Sequence, residues 1–262
     1  MVTVSVEDLW FRYSGSKGYI LKSFTLKKGT PSTIGLLGIN GCGKTTLLKL
    51  LGGILSPSKG NIRINSELRE GIREPNRIIY IPENARLFLV GPTLRKDLNR
   101  VVTDLELVNL LIEKYKLGFL ADKKIYNLSE GQRRLSALFI AFQIPSKLVL
   151  LDEPTIGLDR KGRQLLFHLL EVAKEQGKIV FVSTNDSRIF PKLDELVVIR
   201  DGLLFQRGSP KHVLFMLEDN SELIPNQIPR LIRSLEVQLK QKLPHCLTPE
   251  EMNHVIEEWR VK

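Results

Sequence analysis

The chain opens on a period of two. Val2, Val4 and Val6 alternate with polar residues, and Leu9 to Tyr13 carries the pattern on. A second run spans Tyr19 to Leu26, with turn residues Ser14 to Gly18 between the two. Residues 1–34 therefore predict antiparallel strands. Pro57 to Gly60 is a turn signal before a short strand, Asn61 to Ile64. Arg77 to Ile81 predicts another strand, stopped by Pro82 and followed by Glu83-Asn84. Other runs do not alternate. Ser32 to Leu37, Lys147 to Leu151 and Lys178 to Val182 are nearly continuous in apolar residues. All three read as buried strands, and Lys147 to Leu151 is the kind covered on both faces of a parallel sheet. Val197 to Phe205 reads as a hairpin around Asp201-Gly202.

Between these runs the spacing changes to three and four. Thr46 to Leu51 predicts a helix ending at Gly52-Gly53. From about Thr93 to Gln143 the strands disappear. Leu98 to Lys116 predicts a helix with apolar positions Leu107, Leu110 and Leu111. Leu135 to Phe142 is a strongly apolar helix that ends before Pro145. Ser129 and Gln132 give it a capping box, so its first N–H groups face outward. Gly162 to Lys174 predicts a helix with Leu165, Leu166, Leu169 and Leu170 inward. Near the end, Pro229 opens a helix with Leu231, Ile232, Leu235 and Leu239. A second capping box with proline at the first helical position, Thr248 to Glu251, precedes Met252, Val255, Ile256 and Trp259. These two amphipathic helices either cap the core or meet a partner.

One loop in this pattern carries chemistry. Gly38-Ile39-Asn40-Gly41-Cys42-Gly43-Lys44-Thr45 reads G-x-x-x-x-G-K-T, placed between a buried-strand pattern and a helix. Glycines let the backbone bend and present N–H groups to a dense anion, and the helix start favours negative charge. Lys44 supplies a point charge to the outer phosphates, and Thr45 offers a hydroxyl to magnesium. Asp152 and Glu153 leave the end of an apolar strand. One carboxylate there can hold magnesium through water; its neighbour can take a proton from an attacking water. Glu83 ends another strand, a usual place for ligand contacts in α/β sheets. Tyr13, upstream of the loop, either stacks on a base or is an ordinary edge aromatic.

Composition narrows the setting. The chain has 262 residues, 42% of them hydrophobic, enough for a substantial core. No apolar run approaches the ~18 residues of a membrane span, and the first residues lack a signal-peptide core. Two cysteines, Cys42 and Cys246, make no disulfide framework and fit a reducing cytoplasm. The net charge of +10 suits nucleotides, nucleic acid or an anionic membrane face. No Lys/Arg block marks a nucleic-acid arm, so charge does not choose the partner.

Together these pieces resemble an ATP-binding-cassette (ABC) ATPase over residues 1 to about 210. They stand in that family's order: Tyr13, the loop Gly38 to Thr46, the signature Leu128-Ser129-Glu130-Gly131-Gln132, the acidic strand Leu148 to Glu153, and Gly157-Leu158-Asp159. The resemblance implies an α/β P-loop NTPase with a mixed sheet core, an antiparallel β subdomain, a helical subdomain and a short helical C-terminal extension. It divides the chain into 1–92, 93–145, 146–210 and 211–262. It implies ATP and magnesium as ligands. Tyr13 would stack on adenine. Asn40, Gly41, Cys42, Gly43, Lys44, Thr45 and Thr46 would bind nucleotide. Thr45 and Asp152 would hold metal, and Glu153, Asn185 and Glu83 would serve hydrolysis. Ser129, Gly131 and Gln132 would act on the ATP of a second ABC ATPase subunit, identical or not. Transmembrane transporter subunits complete the implied assembly at the cytoplasmic face of a membrane, with no nucleic acid expected. The alternatives are a soluble cassette ATPase acting on nucleic acid or ribosomes, and a regulatory subunit that hydrolyses weakly. Three positions depart from the family: Glu83 replaces glutamine, Asn185 replaces histidine, and Glu130 replaces the third signature residue, usually glycine. Leu87 to Leu94 and the tail from Pro229 resemble the energy-coupling-factor ATPases, which implies uptake of a vitamin or a transition-metal ion.

Overall fold

The computed structural model describes residues 2–29, 31–65, 67–68, 78–217, 227–239 and 241–260. Strands β1 (Thr3–Phe11) and β2 (Leu21–Gly29) form an antiparallel pair. Then come β3 (Ser32–Leu37), the glycine loop, α1 (Lys44–Leu51), β4 (Lys59–Ile64), β5 (Glu67–Leu68) and β6 (Ile78–Ile81). Four helices follow: α2 (Leu94–Val101), α3 (Leu105–Lys114), α4 (Gly118–Ala121) and α5 (Glu130–Gln143). The chain returns through β7 (Leu148–Asp152), α6 (Arg160–Glu175), β8 (Ile179–Ser183), β9 (Glu195–Arg200) and β10 (Leu203–Gly208). It closes on α7 (Pro210–Met216), α8 (Gln227–Leu239) and α9 (Pro249–Arg260).

The small sheet runs β2-β1-β4-β5, all antiparallel. The larger one runs β10-β9-β3-β8-β7-β6, parallel except for β10 at its edge. The antiparallel expectation for residues 1–34 therefore holds to Gly29 and fails at Ser32. From there the chain lies between two parallel neighbours, β8 and β9. The continuous apolar runs have a simple cause. Leu148, Leu150, Ile179 and Phe181 face α1 and the small sheet, whereas Val149, Leu151, Val180 and Val182 face α5 and α6. Each such side chain taken from water contributes about 1.5–3 kcal/mol, so neither face tolerates a polar substitution cheaply. All parallel strands end on one edge, and the loops carrying Asn40, Glu83, Glu153 and Asn185 leave from there.

The helical region corrects the periodic reading. Asp104 caps α3 by accepting from the Glu106 and Leu107 amides, which divides the expected single helix in two. The face of α3 that packs is Val108 and Ile112, with Leu111 half-buried; Leu107 and Leu110 are exposed. Several spacings fitted one leucine-rich segment, and the neighbouring α2 and α5 chose among them. The tail starts its helix at Gln227, two positions before Pro229. Ile232, Leu243, Cys246, Met252 and Val255 form a small core against Phe215 of α7. Arg233 fastens it by donating to the carbonyls of Leu217 (2.7 Å) and Phe215. Arg77 and the side chains of Leu239, Ile256 and Trp259 lie outside the described residues.

Candidate functional site

At the sheet's C-terminal edge a cleft of 720 Å³ opens over the start of α1. Gly41 and Gly43 have φ of +83° and +113°, a left-handed conformation that favours glycine, so the loop can turn its backbone toward the cleft. A Cβ at Gly41 would meet nothing within 4 Å, whereas one at Gly43 would strike Leu21 at 2.8 Å. One glycine leaves room for a ligand and the other leaves room for the protein. Lys44 is buried, and its ammonium donates to the carbonyl of Gly38 at 2.7 Å. It also lies 3.4 Å from the Ile39 carbonyl, so two carbonyls of the loop hold it.

Behind the loop, Asp152 is 2% exposed and accepts three hydroxyls. Thr45 donates to its Oδ1 at 3.0 Å, Ser183 to the same oxygen at 2.5 Å, and Tyr80 to Oδ2 at 3.2 Å. Burial and the neighbouring carboxylate push the Tyr80 phenol well above its ordinary range, so it stays a proton donor at neutral pH. Thr45 and Asp152 offer hard oxygens that suit magnesium. Among the described residues no group of three His, Cys, Asp or Glu side chains could cage a metal alone. That fits an ion that keeps waters and takes oxygens from a phosphate.

The opposite wall is built from strand ends. Glu153 follows β7, Glu83 follows β6 and Asn185 follows β8, and all three line the cleft. Glu153 has φ +47°, unusual for a residue with a side chain. Its N–H donates to the Ser183 carbonyl (3.0 Å) and hydroxyl (3.1 Å). Burial pushes its carboxyl pKa up; Lys44 opposes that shift, while Asp152 and Glu83 add to it. Asn185 presents a buried Oδ1 with no hydrogen-bond partner among the described residues. Beyond it, Arg188 grips Asp186 through Nε and Nη2 at 2.7 and 2.8 Å. Burial raises the Asp186 pKa, but the Arg188 bonds outweigh it and leave the net shift downward.

Not every expected residue reaches this cleft. Cys42 turns its thiol toward Gly38 in the core, where burial raises its pKa. Tyr13 is 39% exposed; its ring meets Phe11 edge-on and its hydroxyl lies 3.4 Å from Thr46 Oγ1. Neither lines the cleft. Ser129, Gly131 and Gln132 line a separate hollow of 600 Å³ with Gly157 and Lys161. The capping box at the start of α5 is formed: Ser129 Oγ accepts the Gln132 amide at 3.2 Å, and Gln132 Oε1 accepts the Ser129 amide at 3.1 Å. Gly131 is also needed within the chain, because a Cβ there would lie 2.1 Å from the Gly157 carbonyl oxygen.

The sequence reading missed Tyr80 and Arg134. Tyr80 looked like any strand aromatic. Arg134 is 1% exposed, with Nη1 donating to the Glu153 carbonyl and Nη2 to the Glu83 carbonyl at 2.5 Å. Its position beside Arg133, directly before the apolar run Leu135 to Phe142, gave little signal; once buried, the cation needs the acceptors it finds here.

The sequence and the fold are similar to those of known proteins. Residues 21–156 match the family model described as ABC transporter. A putative ABC transporter ATP-binding protein of Pyrococcus furiosus is 30% identical over 261 residues, covering 93% of each chain. The energy-coupling factor transporter ATP-binding protein EcfA of Methanocaldococcus jannaschii is 30% identical over 233 residues, 83% of each chain. Among solved structures, cbiO1 of Clostridium perfringens, part of the cbiONQ ABC transporter complex, superposes with a TM-score of 0.70 at 25% identity. That match covers 97% of this chain and 98% of the other.

Proposed function

The chain belongs to the ABC transporter family of ATP-binding proteins, and from that premise we propose that it binds and hydrolyses magnesium-ATP to drive separate membrane subunits. The observation that carries this reading is the grouping of Lys44, the Thr45–Asp152 pair at 3.0 Å, and Glu153 around one cleft. The loop amides and Lys44 bind the phosphates. Tyr13 stacks on the base once the nucleotide is seated. Thr45 and Asp152 would hold magnesium, which neutralises charge on the phosphate oxygens. Glu153 orients a water and accepts its proton; its raised pKa makes it a better base than an ordinary carboxylate. Asn185 directs its amide at the terminal phosphate, and Glu83 lies beside the attacking water.

ATP closes this cassette against a second ABC ATPase subunit, whose nucleotide meets Ser129, Gly131 and Gln132. Closure moves transmembrane subunits at the cytoplasmic face of the membrane, and hydrolysis reopens the pair. Among the described residues no helix is long and apolar enough to cross a membrane, so other chains would form the path. The EcfA relative supports an energy-coupling type of transporter, and the cargo in this reading is a vitamin or a metal ion.

A weakly hydrolysing variant of this reading is favoured by Asn185 and Glu83. The first supplies a shorter, uncharged donor where the family has histidine, and the second adds negative charge beside the phosphates. Calorimetry with magnesium-ATP, followed by phosphate release from the purified chain, tests the proposal. Micromolar binding with slow release supports the impaired form (about 10⁻⁶ M corresponds to −8.2 kcal/mol). No binding removes the whole reading.

A further inference from the structure

Helix α5 begins at the signature and runs beneath the two acidic strand ends. One turn into it, just before the apolar run Leu135 to Phe142, Arg134 is almost fully buried. Its guanidinium makes three polar contacts. Nη1 donates to the carbonyl of Glu153, Nη2 to that of Glu83 at 2.5 Å, and Nη2 lies 3.5 Å from the carboxylate of Glu130. Nε is buried with no hydrogen-bond partner among the described residues. A buried cation is costly, and an apolar residue of similar size would hold a helix there more cheaply. What an apolar side chain cannot do is fix two carbonyls from two strands in one plane; the planar guanidinium fork can.

Those carbonyls belong to the two acidic residues of the cleft wall. Glu153 has both backbone polar groups fixed, its N–H by Ser183 and its carbonyl by Arg134, at a φ that a side-chain-bearing residue seldom adopts. A second contact joins the same two segments three residues earlier in α5. The backbone of Gly131 sits against Gly157, in the turn that Glu153 opens. So the start of α5 touches segment 153–157 at both of its ends. Glu130 directly precedes Gly131. Its side chain is 67% exposed and reaches forward one turn to Arg134. Where a glycine at this position would leave the guanidinium two neutral acceptors, Glu130 adds a counter-charge.

We propose that Arg134 is a positioning residue through which helix α5 sets the backbone of Glu153 and Glu83, and that Glu130 holds the guanidinium in that role. The inference rests on the functional reading above. A displacement of the signature end of α5 would then reach the candidate base within the same chain, through one side chain.

The test uses the full chain with Arg134→Gln, Arg134→Lys and Glu130→Gln. ATP affinity is measured by calorimetry, hydrolysis in single turnover with protein in excess, and hydrogen exchange in segments 80–86 and 152–158. Arg134→Gln should slow hydrolysis by roughly 10–100-fold, the scale of a misplaced catalytic group. ATP affinity should stay within about threefold, a split that marks lost transition-state rather than ground-state contacts. Arg134→Lys should recover part of the rate, and Glu130→Gln should lose a few-fold. Both segments should exchange faster in the Arg134 variants. Glu130→Gln alters an exposed side chain and carries the test if Arg134→Gln does not fold. Unchanged hydrolysis and exchange in these variants would overturn the proposal. So would a parallel loss of affinity and rate, which marks a general structural pin. A wild-type chain that neither binds nor hydrolyses ATP would defeat the functional reading instead, and the exchange data would still decide whether Arg134 positions the two strand ends.

Discussion

One wall of the cleft comes mainly from a single loop, lined by Asn40, Gly41 and Gly43 to Thr46, whereas the facing wall is assembled from the segments that follow β6, β7 and β8. The first wall holds its shape through bonds between near neighbours: Lys44 to Gly38, and the Cys42 amide to Ile39. The second depends on partners 19 to 51 residues away, with Arg134 bonded to Glu153 and Glu83 and Ser183 to Glu153. The near wall is suited to gripping an anion, which every state of the cycle requires. The far wall is suited to chemistry, where the placement of one carboxylate by an ångström matters. Binding and turnover should therefore be separable by mutation, wall by wall.

The largest effect is expected on the near wall. Lys44→Ala removes the cation that the loop surrounds, and magnesium-ATP binding should fall below detection by calorimetry. Unchanged affinity would break the comparison at its first term. Glu153→Gln, on the far wall, should leave ATP bound while phosphate release drops to background and the closed dimer accumulates by light scattering. If binding falls with it, the walls are not separate. A gain is expected from Asn185→His. Restoring a stronger donor to the terminal phosphate should raise turnover by up to about 10²-fold, the worth of one such donor. No change, together with wild-type turnover in the ~1–100 s⁻¹ range of phosphoryl-transfer enzymes, would show asparagine to be an adequate substitute.

A smaller effect appears in the pH profile. In its proposed role Glu153 takes a proton only when ionised, and burial raises its pKa above the ordinary 4.5. Turnover should fall with acidification at a higher pH than a free carboxylate would dictate, while ATP affinity persists through that range. For stability the sign is the same as for any carboxyl with a raised folded pKa: the ionised form is the less favourable one, so this group weakens the fold as pH rises through its titration. The smallest effect concerns a region remote from both walls. Truncation from residue 218 removes α8 and α9 and the small core around Ile232 and Met252. Nucleotide affinity should change little, while assembly measured by light scattering weakens. Failure of the truncated chain to fold would make the tail part of the core.

Local chemistry was legible in the sequence. The glycine loop, the capping box of Ser129 and Gln132, the Asp201-Gly202 hairpin and the doubly covered strands each depend on residues within one turn or one strand, and the chain wrote them there directly. So did the acidic strand end at Asp152-Glu153. At Thr248 only half of the expected box forms, because Thr248 accepts the Glu251 amide while the Glu251 carboxylate accepts the Leu247 amide. Tertiary structure decided what distance along the chain conceals. It selected Val108 and Ile112 rather than Leu107 and Leu110 as the packed face of α3, because the choice belongs to the neighbours that cover it. It moved β3 out of the antiparallel set and into the centre of the parallel sheet. It gathered Tyr80, Ser183 and Thr45 on one carboxylate, and it gave Arg134 two carbonyls from different strands. A residue's type can state that it needs a partner; only the folded chain, by closing loops of tens of residues, states which partner it finds.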